Sequence, residues 1–165
     1  MKKFLYLLLL LPLGFLTSCH DDDDMPSVDI TVSIDNAVDA DGRIFIVSGE
    51  PLTVSGITAE GLGGKAAGIS GVNYVLDHVG MGYTIVQPFG GSIPAAYLPV
   101  GNHLFTLAFD VLQVDKSIAY AQLSTIVTVV ESADDLPDGT TPGTVELLSL
   151  IHILNPAAPK SNDRI

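Results

Sequence analysis

The chain has 165 residues and is acidic, with 19 Asp and Glu against 7 Lys and Arg and a formal net charge of −12 at pH 7. Such a charge repels nucleic acid and anionic lipid, which argues against both as partners. The single cysteine cannot form a disulfide within the chain, so one domain held together by an apolar core is expected.

Residues 1–18 have the pattern of a secretory signal peptide. Lys2 and Lys3 supply the positive charge at its start, and the apolar run 4–15 that follows is too short to span a bilayer comfortably. Residues 16–19 read Leu-Thr-Ser-Cys, and an acidic tether is expected over residues 19–27. This order of charge, apolar run and small residues predicts export from the cytoplasm.

The residues around the cysteine resemble two known targeting signals. Residues 16–19 resemble the lipobox of bacterial lipoproteins, in which the cysteine is acylated and becomes the first residue of the mature protein. The run Asp21, Asp22, Asp23 and Asp24 resembles the export signal of Bacteroidota-type surface lipoproteins. The resemblance implies a lipid anchor on Cys19 in the outer membrane, with the protein facing the cell exterior. Several acyl chains on one cysteine anchor stably, whereas a single chain binds only marginally.

The body of the chain alternates between apolar and polar residues, which is typical of strands with one buried face. Strands are predicted at residues 28–34, 43–47, 52–57, 72–76, 83–86, 103–110 and 120–130. The run 103–110 alternates most clearly and predicts a buried face that contains Phe105 and Phe109, with Thr106 on the opposite face, which is either solvated or buried as well. Glycine and proline turns separate the strands, so we predict an all-β sandwich of about seven short antiparallel strands over residues 28–130.

Part of this region resembles bacterial immunoglobulin-like domains. Residues 72–77 look like a tyrosine-bearing strand that ends in an aspartate turn, and Pro88 and Phe89 follow. Residues 98–107 contain a glycine–x–histidine turn at Gly101 and His103 that starts the strand crossing back. The resemblance implies an immunoglobulin-like β-sandwich. It does not extend to the cysteine pair and core tryptophan of antibody domains, because the chain has one cysteine and no tryptophan.

The chain changes character after residue 130. Residues 131–147 contain five acidic residues, no basic ones, and several prolines and glycines, which predicts a linker. Residues 148–153 are the translation of CTG-TCT-CTT-ATA-CAC-ATC, which matches the transposase end sequence used to prepare sequencing libraries. We therefore expect residues 148–165 to be a sequencing artefact. The alternative is a genuine short strand followed by a disordered polar tail.

No residue pattern indicates catalysis or a metal. Aligning residues 37–48 with a calcium loop places Ala37 and Ser48 where the first carboxylate and the final glutamate belong, so a helix–loop–helix site fails. A weak calcium site in this turn stays open beside a plain solvated turn. The histidines lack a third zinc ligand, and no nucleophile motif accompanies Asp77 and His78. We predict no enzymatic activity, no cofactor and no metal site.

Exposed aromatic rings are the remaining candidates for ligand contact. Tyr83 and Tyr97 lie near glycine and proline turns and are expected to be exposed, whereas Tyr74 and Tyr120 are expected to be half-buried sheet residues. The sequence favours a non-enzymatic, lipid-anchored surface module with a structural, spacer or protein-interaction role. The alternative is a glycan-binding surface lipoprotein that serves polysaccharide capture, with Tyr83 and Tyr97 as possible ligand contacts.

Overall fold

The computed structural model describes residues 27–61, 67–113 and 118–152, which form nine strands and two short 3-10 helices. The strands are β1 (Ser27–Ala40), β2 (Arg43–Val47), β3 (Leu52–Gly61), β4 (Ala67–Leu76), β5 (Val79–Thr84), β6 (Gly91–Ile93), β7 (Gly101–Gln113), β8 (Ile118–Val130) and β9 (Gly143–His152). The 3-10 helices are Ala95–Tyr97 and Ala133–Asp135.

The strands form two sheets that share β1. The first sheet has the order β9-β1-β3-β6 and is antiparallel throughout. The second has the order β5-β4-β7-β8-β2 and is antiparallel except between β8 and β2. Because β3 pairs with β6 and β4 with β7, the consecutive strands β3 and β4 lie in different sheets, as in immunoglobulin-like sandwiches, whereas β4 with β5 and β7 with β8 pair within the second sheet. The predicted fold class is confirmed.

Strand β1 crosses from one sheet to the other. Its first half buries Val28, Ile30, Val32 and Ile34 and pairs with β3 and β9. The register then shifts between Ile34 and Ala37, where Asn36 has φ 53°. Asn tolerates this left-handed conformation better than most residues, and such a bulge bends a strand. Beyond the bend, residues 38–40 pair with β2 in the second sheet.

The core lies between the two sheets. Alternate residues of the central strand β7 are buried there: His103, Phe105, Leu107 and Phe109. Phe105 and Phe109 are the largest fully buried side chains of the described residues. The predicted buried face of this strand is therefore correct. On its opposite face Thr106 is only 8% exposed, whereas Leu104, Ala108 and Asp110 are half-buried, so that face is solvated only in part.

The sandwich extends past the predicted boundary at residue 130. β9 begins within the segment predicted as a linker, pairs with β1, and continues to His152. Its Val145 and Leu147 pack against the core, while the alternate residues Thr144, Glu146 and Leu148 are exposed. The structure thus has nine strands against about seven predicted, and several have ten or more residues. The prolines and glycines of residues 131–147 masked the alternation that begins at Gly143.

The chain enters and leaves the described fold at the same end of the first sheet. β1 begins at Ser27, and β9 runs antiparallel to it, so His152 lies opposite Ser27. We call this the near end. The opposite end, which we call the far end, contains the β4–β5 turn at Asp77 and His78 and the connection 131–142 between β8 and β9.

Candidate functional site

The residues predicted to carry the anchor and the export signal lie outside the described part of the chain. Cys19 and the run Asp21 to Asp24 precede the first described residue, so both assignments stay predictions. Among residues 27–61, 67–113 and 118–152, no helix is long and apolar enough to cross a membrane.

The tyrosines differ sharply in exposure. Tyr83 and Tyr97 are 61% and 59% exposed, and Tyr74 is 5% exposed. Tyr120 was predicted to be half-buried, but it is 80% exposed. The β-branched residues of β8 gave no indication of which face each side chain occupies. In the structure, Tyr120 points away from the core, and the next residue, Ala121, points into it.

Two of the exposed tyrosines border a shallow depression on the outer face of the second sheet. Its side chains are Asn73, Tyr83, Ala108, Asp110, Tyr120 and Gln122, and we call it the tyrosine groove. The groove has a volume of about 380 Å³. Phe109 and Ala121, which turn their side chains toward the core, also border it.

Strand register explains how these side chains meet. Tyr83 of β5 lies opposite Asn73 of β4, which lies opposite Ala108 of β7, which lies opposite Gln122 of β8. These four residues form one row across the sheet. Asp110 and Tyr120 lie opposite each other in the next row. Polar and aromatic groups from four strands therefore share one surface.

A glycine allows the Tyr83 ring to lie across the sheet. The Tyr83 hydroxyl donates a hydrogen bond to Asp110 Oδ2 at 3.0 Å, and it passes over Gly71 to do so. A Cβ atom on Gly71 would lie 2.1 Å from the Tyr83 hydroxyl oxygen. The hydrogen bond to Asp110 also raises the pKa of Tyr83, because the carboxylate stabilises the protonated hydroxyl. Gly71 and Asp110 together hold the ring in place.

Tyr97, the other predicted ligand contact, does not border the tyrosine groove. It ends the 3-10 helix Ala95–Tyr97 in the connection between β6 and β7. The structure therefore brings Tyr83 together with Tyr120, Asp110, Asn73 and Gln122, and it leaves Tyr97 apart. Asp110, Asn73 and Gln122 were not singled out from the sequence, and Tyr120 was considered there but expected to be half-buried. Their positions depend on the pairing of strands far apart in the chain.

A second polar cluster lies at the far end. His103 Nδ1 is 2.7 Å from Asp77 Oδ2, and its Nε2 is 2.8 Å from the carbonyl oxygen of Pro99. The other carboxylate oxygen of Asp77 accepts a hydrogen bond from the Leu104 amide at 2.8 Å. The cluster thus connects the β4–β5 turn to the start of β7.

These contacts shift the pKa values of both His103 and Asp77. Burial alone would lower the pKa of His103, but the hydrogen bonds to Asp77 and Pro99 outweigh it and raise the pKa. The hydrogen bond from His103 lowers the pKa of Asp77, and the Leu104 amide adds to that effect. Both ring nitrogens of His103 are engaged by the protein itself. The pair therefore resembles a structural clasp more than a proton-transfer site.

The remaining candidate residues have structural partners. The buried Tyr74 hydroxyl donates to the carbonyl oxygen of Phe89, and burial raises the pKa of Tyr74 to about 12. Asp35 Oδ1 accepts hydrogen bonds from Ser55 and Thr144 at 3.0 and 2.9 Å. Among the described residues, no three His, Cys, Asp or Glu side chains converge as metal ligands would.

Comparison with known proteins gives little further information. No protein-family model and no curated protein matches the chain. Among solved structures, the chain is similar to the fibronectin(III)-like modules of Clostridium thermocellum CbhA at 19% sequence identity. The match covers 58% of this chain and 96% of that one, with a TM-score of 0.39. The assignment of the fold rests on the strand pairing described above.

Proposed function

We propose that this chain is a non-enzymatic module that is anchored by acylated Cys19 in the outer membrane, faces the cell exterior, and has a structural or protein-interaction role. The observation that carries the proposal is the Leu-Thr-Ser-Cys sequence at residues 16–19, directly after an apolar run and directly before an acidic run. Their order matches the one expected from the resemblance to surface lipoproteins.

The distance between anchor and sandwich supports a module close to the membrane. The nine residues from Cys19 to Ser27, which are eight Cα-to-Cα steps, span at most about 28 Å when fully extended. The near end of the sandwich is therefore tied to the lipid surface, and the far end projects outward. Because β9 returns to the near end, a chain continuing from it would start beside the membrane. This geometry supports an interaction role over that of a linear spacer.

The contacts of both ring nitrogens of His103, at the far end, support a non-enzymatic role. A general base must offer a free nitrogen to its substrate. In His103 one nitrogen contacts Asp77 and the other contacts the Pro99 carbonyl, and the ring is 8% exposed. Substrate would have to displace a contact that also holds β4 against β7.

The anchor is tested with the full-length chain in a bacterial host that acylates lipoproteins. Cys19→Ala should move the protein from the detergent phase to the aqueous phase in a phase-partition assay, because the acyl chains are lost. Ser18→Ala, next to it, serves as the matched control and should leave the partitioning unchanged. Equal partitioning of Cys19→Ala and wild type would contradict the proposed anchor.

Surface display is tested separately. Replacing Asp21, Asp22, Asp23 and Asp24 by alanine should leave the protein in the detergent phase but protect it from protease added to whole cells. Protease sensitivity equal to that of wild type would show that the aspartate run is only a solvated tether.

The alternative function, glycan binding for polysaccharide capture, is favoured by one specific observation. The tyrosine groove places two exposed aromatic rings beside a carboxylate and two amides. These side chains lie on the outer face of the second sheet and do not contribute to the core.

A further inference from the structure

The Tyr83 ring is a fixed aromatic surface. Most exposed tyrosines on a sheet can change rotamer freely, but this ring lies over Gly71 and is held by its hydrogen bond to Asp110. It remains 61% exposed. A ring that is both fixed and exposed can stack against the apolar face of a ligand without first losing rotamer entropy.

Tyr120 forms the opposite wall of the tyrosine groove. It is 80% exposed, although outward positions of antiparallel sheets are usually polar. Tyr83 and Tyr120 lie on β5 and β8, which are separated by β4 and β7, and Tyr120 is one row further along the sheet, so their backbones are about 16 Å apart. Because the Tyr83 side chain reaches over β4 to Asp110, the gap between the two rings is narrower than that. A volume of about 380 Å³ remains between and above them, and it lies within the usual range of small-ligand sites.

The polar groups of the groove define what the ligand must offer. The Asp110 carboxylate only accepts hydrogen bonds, and with one of them taken by Tyr83 it still has lone pairs for further donors. Asn73 and Gln122 each supply an amide that both donates and accepts. Gln122 uses one N–H for Ser124 Oγ at 3.2 Å and keeps its carbonyl oxygen and second N–H. A matching ligand therefore carries several groups that both donate and accept, as hydroxyls do.

Charge and hydrogen bonding exclude two other ligands. A polyanion, such as a uronic acid polymer, is repelled by a chain of net charge −12 with a carboxylate in the groove. A proline-rich peptide would stack on the tyrosines, but proline has no backbone N–H to donate to Asp110. We propose that the tyrosine groove binds a neutral sugar. Tyr83 and Tyr120 stack on its ring faces, and Asp110, Asn73 and Gln122 bind its hydroxyls.

This inference rests on the alternative function and not on the anchor, and it is tested on purified full-length chain in a detergent without sugar head groups. The probes are neutral hexasaccharides of β-1,4-linked glucose, xylose and mannose, with hexaproline as the competing class. Since the chain has five tyrosines and no tryptophan, its fluorescence comes from tyrosine, and Tyr83 and Tyr120 of the groove supply part of that signal. We expect saturable binding of at least one hexasaccharide.

Four variants locate the binding. Tyr120→Ala and Tyr83→Ala should each weaken it by about tenfold. Gly71→Ala should weaken it similarly while both tyrosines remain, because the new Cβ displaces the Tyr83 hydroxyl. Tyr97→Ala removes an equally exposed tyrosine outside the groove and should change nothing. Tyr120 is 80% exposed, so its removal leaves the core intact and the result does not depend on whether the other variants fold.

The outcomes are distinct. Absence of saturable binding to every hexasaccharide, binding of hexaproline in their place, or an equal loss in Tyr97→Ala would each overturn the proposal. None of these results would affect the detergent partitioning of the anchored protein. Conversely, a soluble protein that still binds sugar through Tyr83 and Tyr120 would overturn the anchor and leave the groove established.

Discussion

At the residue scale, His103 determines how the stability of the far end depends on pH. The pKa of this histidine is raised in the folded protein, so its protonated form stabilises the fold. That contribution is complete below the unfolded pKa of about 6.5 and is lost as the pH rises through the higher folded pKa. Asp77 has a lowered pKa, so its contribution is present above about pH 3.9 and is lost as the pH falls through the folded pKa.

We therefore expect the clasp between Asp77 and His103 to contribute most between about pH 4 and pH 6.5. The free energy of unfolding should decrease as the pH rises from about 6.5 through the raised pKa of His103, and urea denaturation at several pH values measures it. His103→Gln, which cannot titrate, should abolish this decrease. His78→Gln should preserve it, because His78 is exposed and lies outside the clasp. A decrease of the same size in His103→Gln would assign the pH dependence to other groups.

Residues of the candidate site could be predicted from the sequence only in part. The turn residues around Tyr83 indicate its exposure, and the structure agrees. Nothing in the sequence indicates that Asp110 and Tyr120 lie beside it, because their proximity depends on the register of β4, β7 and β8. Gly71 likewise looks like one of several loop glycines. Its role follows only from the position of the Tyr83 ring above it.

At the element scale, the β4–β5 hairpin carries two residues in the left-handed region. Asp77 has φ 48° and His78 has φ 69°, and a two-residue turn with positive φ at both positions suits the twist of a hairpin. A residue other than glycine costs roughly 1 kcal/mol in this conformation. Asp77 offsets the cost with its hydrogen bonds to His103 and Leu104, whereas the exposed His78 has no role in the clasp.

His78→Gly should therefore stabilise the protein by about 0.5–1 kcal/mol. Asp77→Gly relieves the same backbone strain but removes the hydrogen bonds to His103 and Leu104, so we expect it to destabilise. Thermal unfolding of the two variants beside wild type measures the difference. If both glycine variants changed stability in the same direction, the carboxylate would not be holding the turn.

Strand β7 shows where a pattern of alternation is informative and where it is not. Alternation correctly predicts that Phe105 and Phe109 are buried between the sheets. It cannot show that Thr106 is covered as well, since that depends on neighbours supplied by other strands. Val75 of β4 and Ser124 of β8 lie on either side of Thr106, and its hydroxyl is 2.9 Å from Ser124 Oγ. A central strand therefore buries residues on both faces.

Two substitutions in β7 should differ in cost by several-fold. Phe105→Ala removes one of the largest buried side chains and should cost about 3–5 kcal/mol. Thr106→Val keeps the shape and loses the hydrogen bond to Ser124, which should cost about 1 kcal/mol. Chemical denaturation of the full chain measures both. A loss for Thr106→Val as large as that for Phe105→Ala would contradict the assignment of Thr106 to the outer face of the sheet.

At the scale of the whole molecule, local sequence patterns are sufficient to predict a sandwich. They are not sufficient to predict which of its strands pair with each other. Period-two alternation in β1, β4 and β7 is sufficient to predict an all-β fold with two packed sheets. The bulge at Asn36 that lets β1 join both sheets, and the parallel pairing of β2 with β8, are tertiary features without a local signal. The end of the sandwich was predicted at residue 130 for the same reason, because β9 is identified as a strand only by its pairing with β1.

The alternation of inward and outward residues in β9 gives evidence on whether residues 148–165 belong to the genomic reading frame. Val145 and Leu147 face inward, and Thr144 and Glu146 face outward, so the next outward position is expected to be polar. It is occupied by Leu148, which is 77% exposed. The alternation thus fails at the residue where the match to the transposase end sequence begins. We predict that the genomic reading frame departs from this sequence at or near Leu148, and sequencing the locus with library-independent primers checks this.

The contribution of β9 to stability provides the last test. Ending the chain at Val130 removes the cover of Val145 and Leu147 from the core and leaves one edge of β1 unpaired. Two partly buried apolar side chains account for about 2–3 kcal/mol, and an exposed edge favours aggregation. A chain ending at Leu147 keeps both side chains but leaves residues 27–31 of β1 without their partners in β9, so its stability should lie between those of the other two chains. Urea denaturation and light scattering compare the three chains. Equal stability and equal scattering of the chain ending at Val130 and the full chain would show that β9 is dispensable and would restore residue 130 as the boundary of the sandwich.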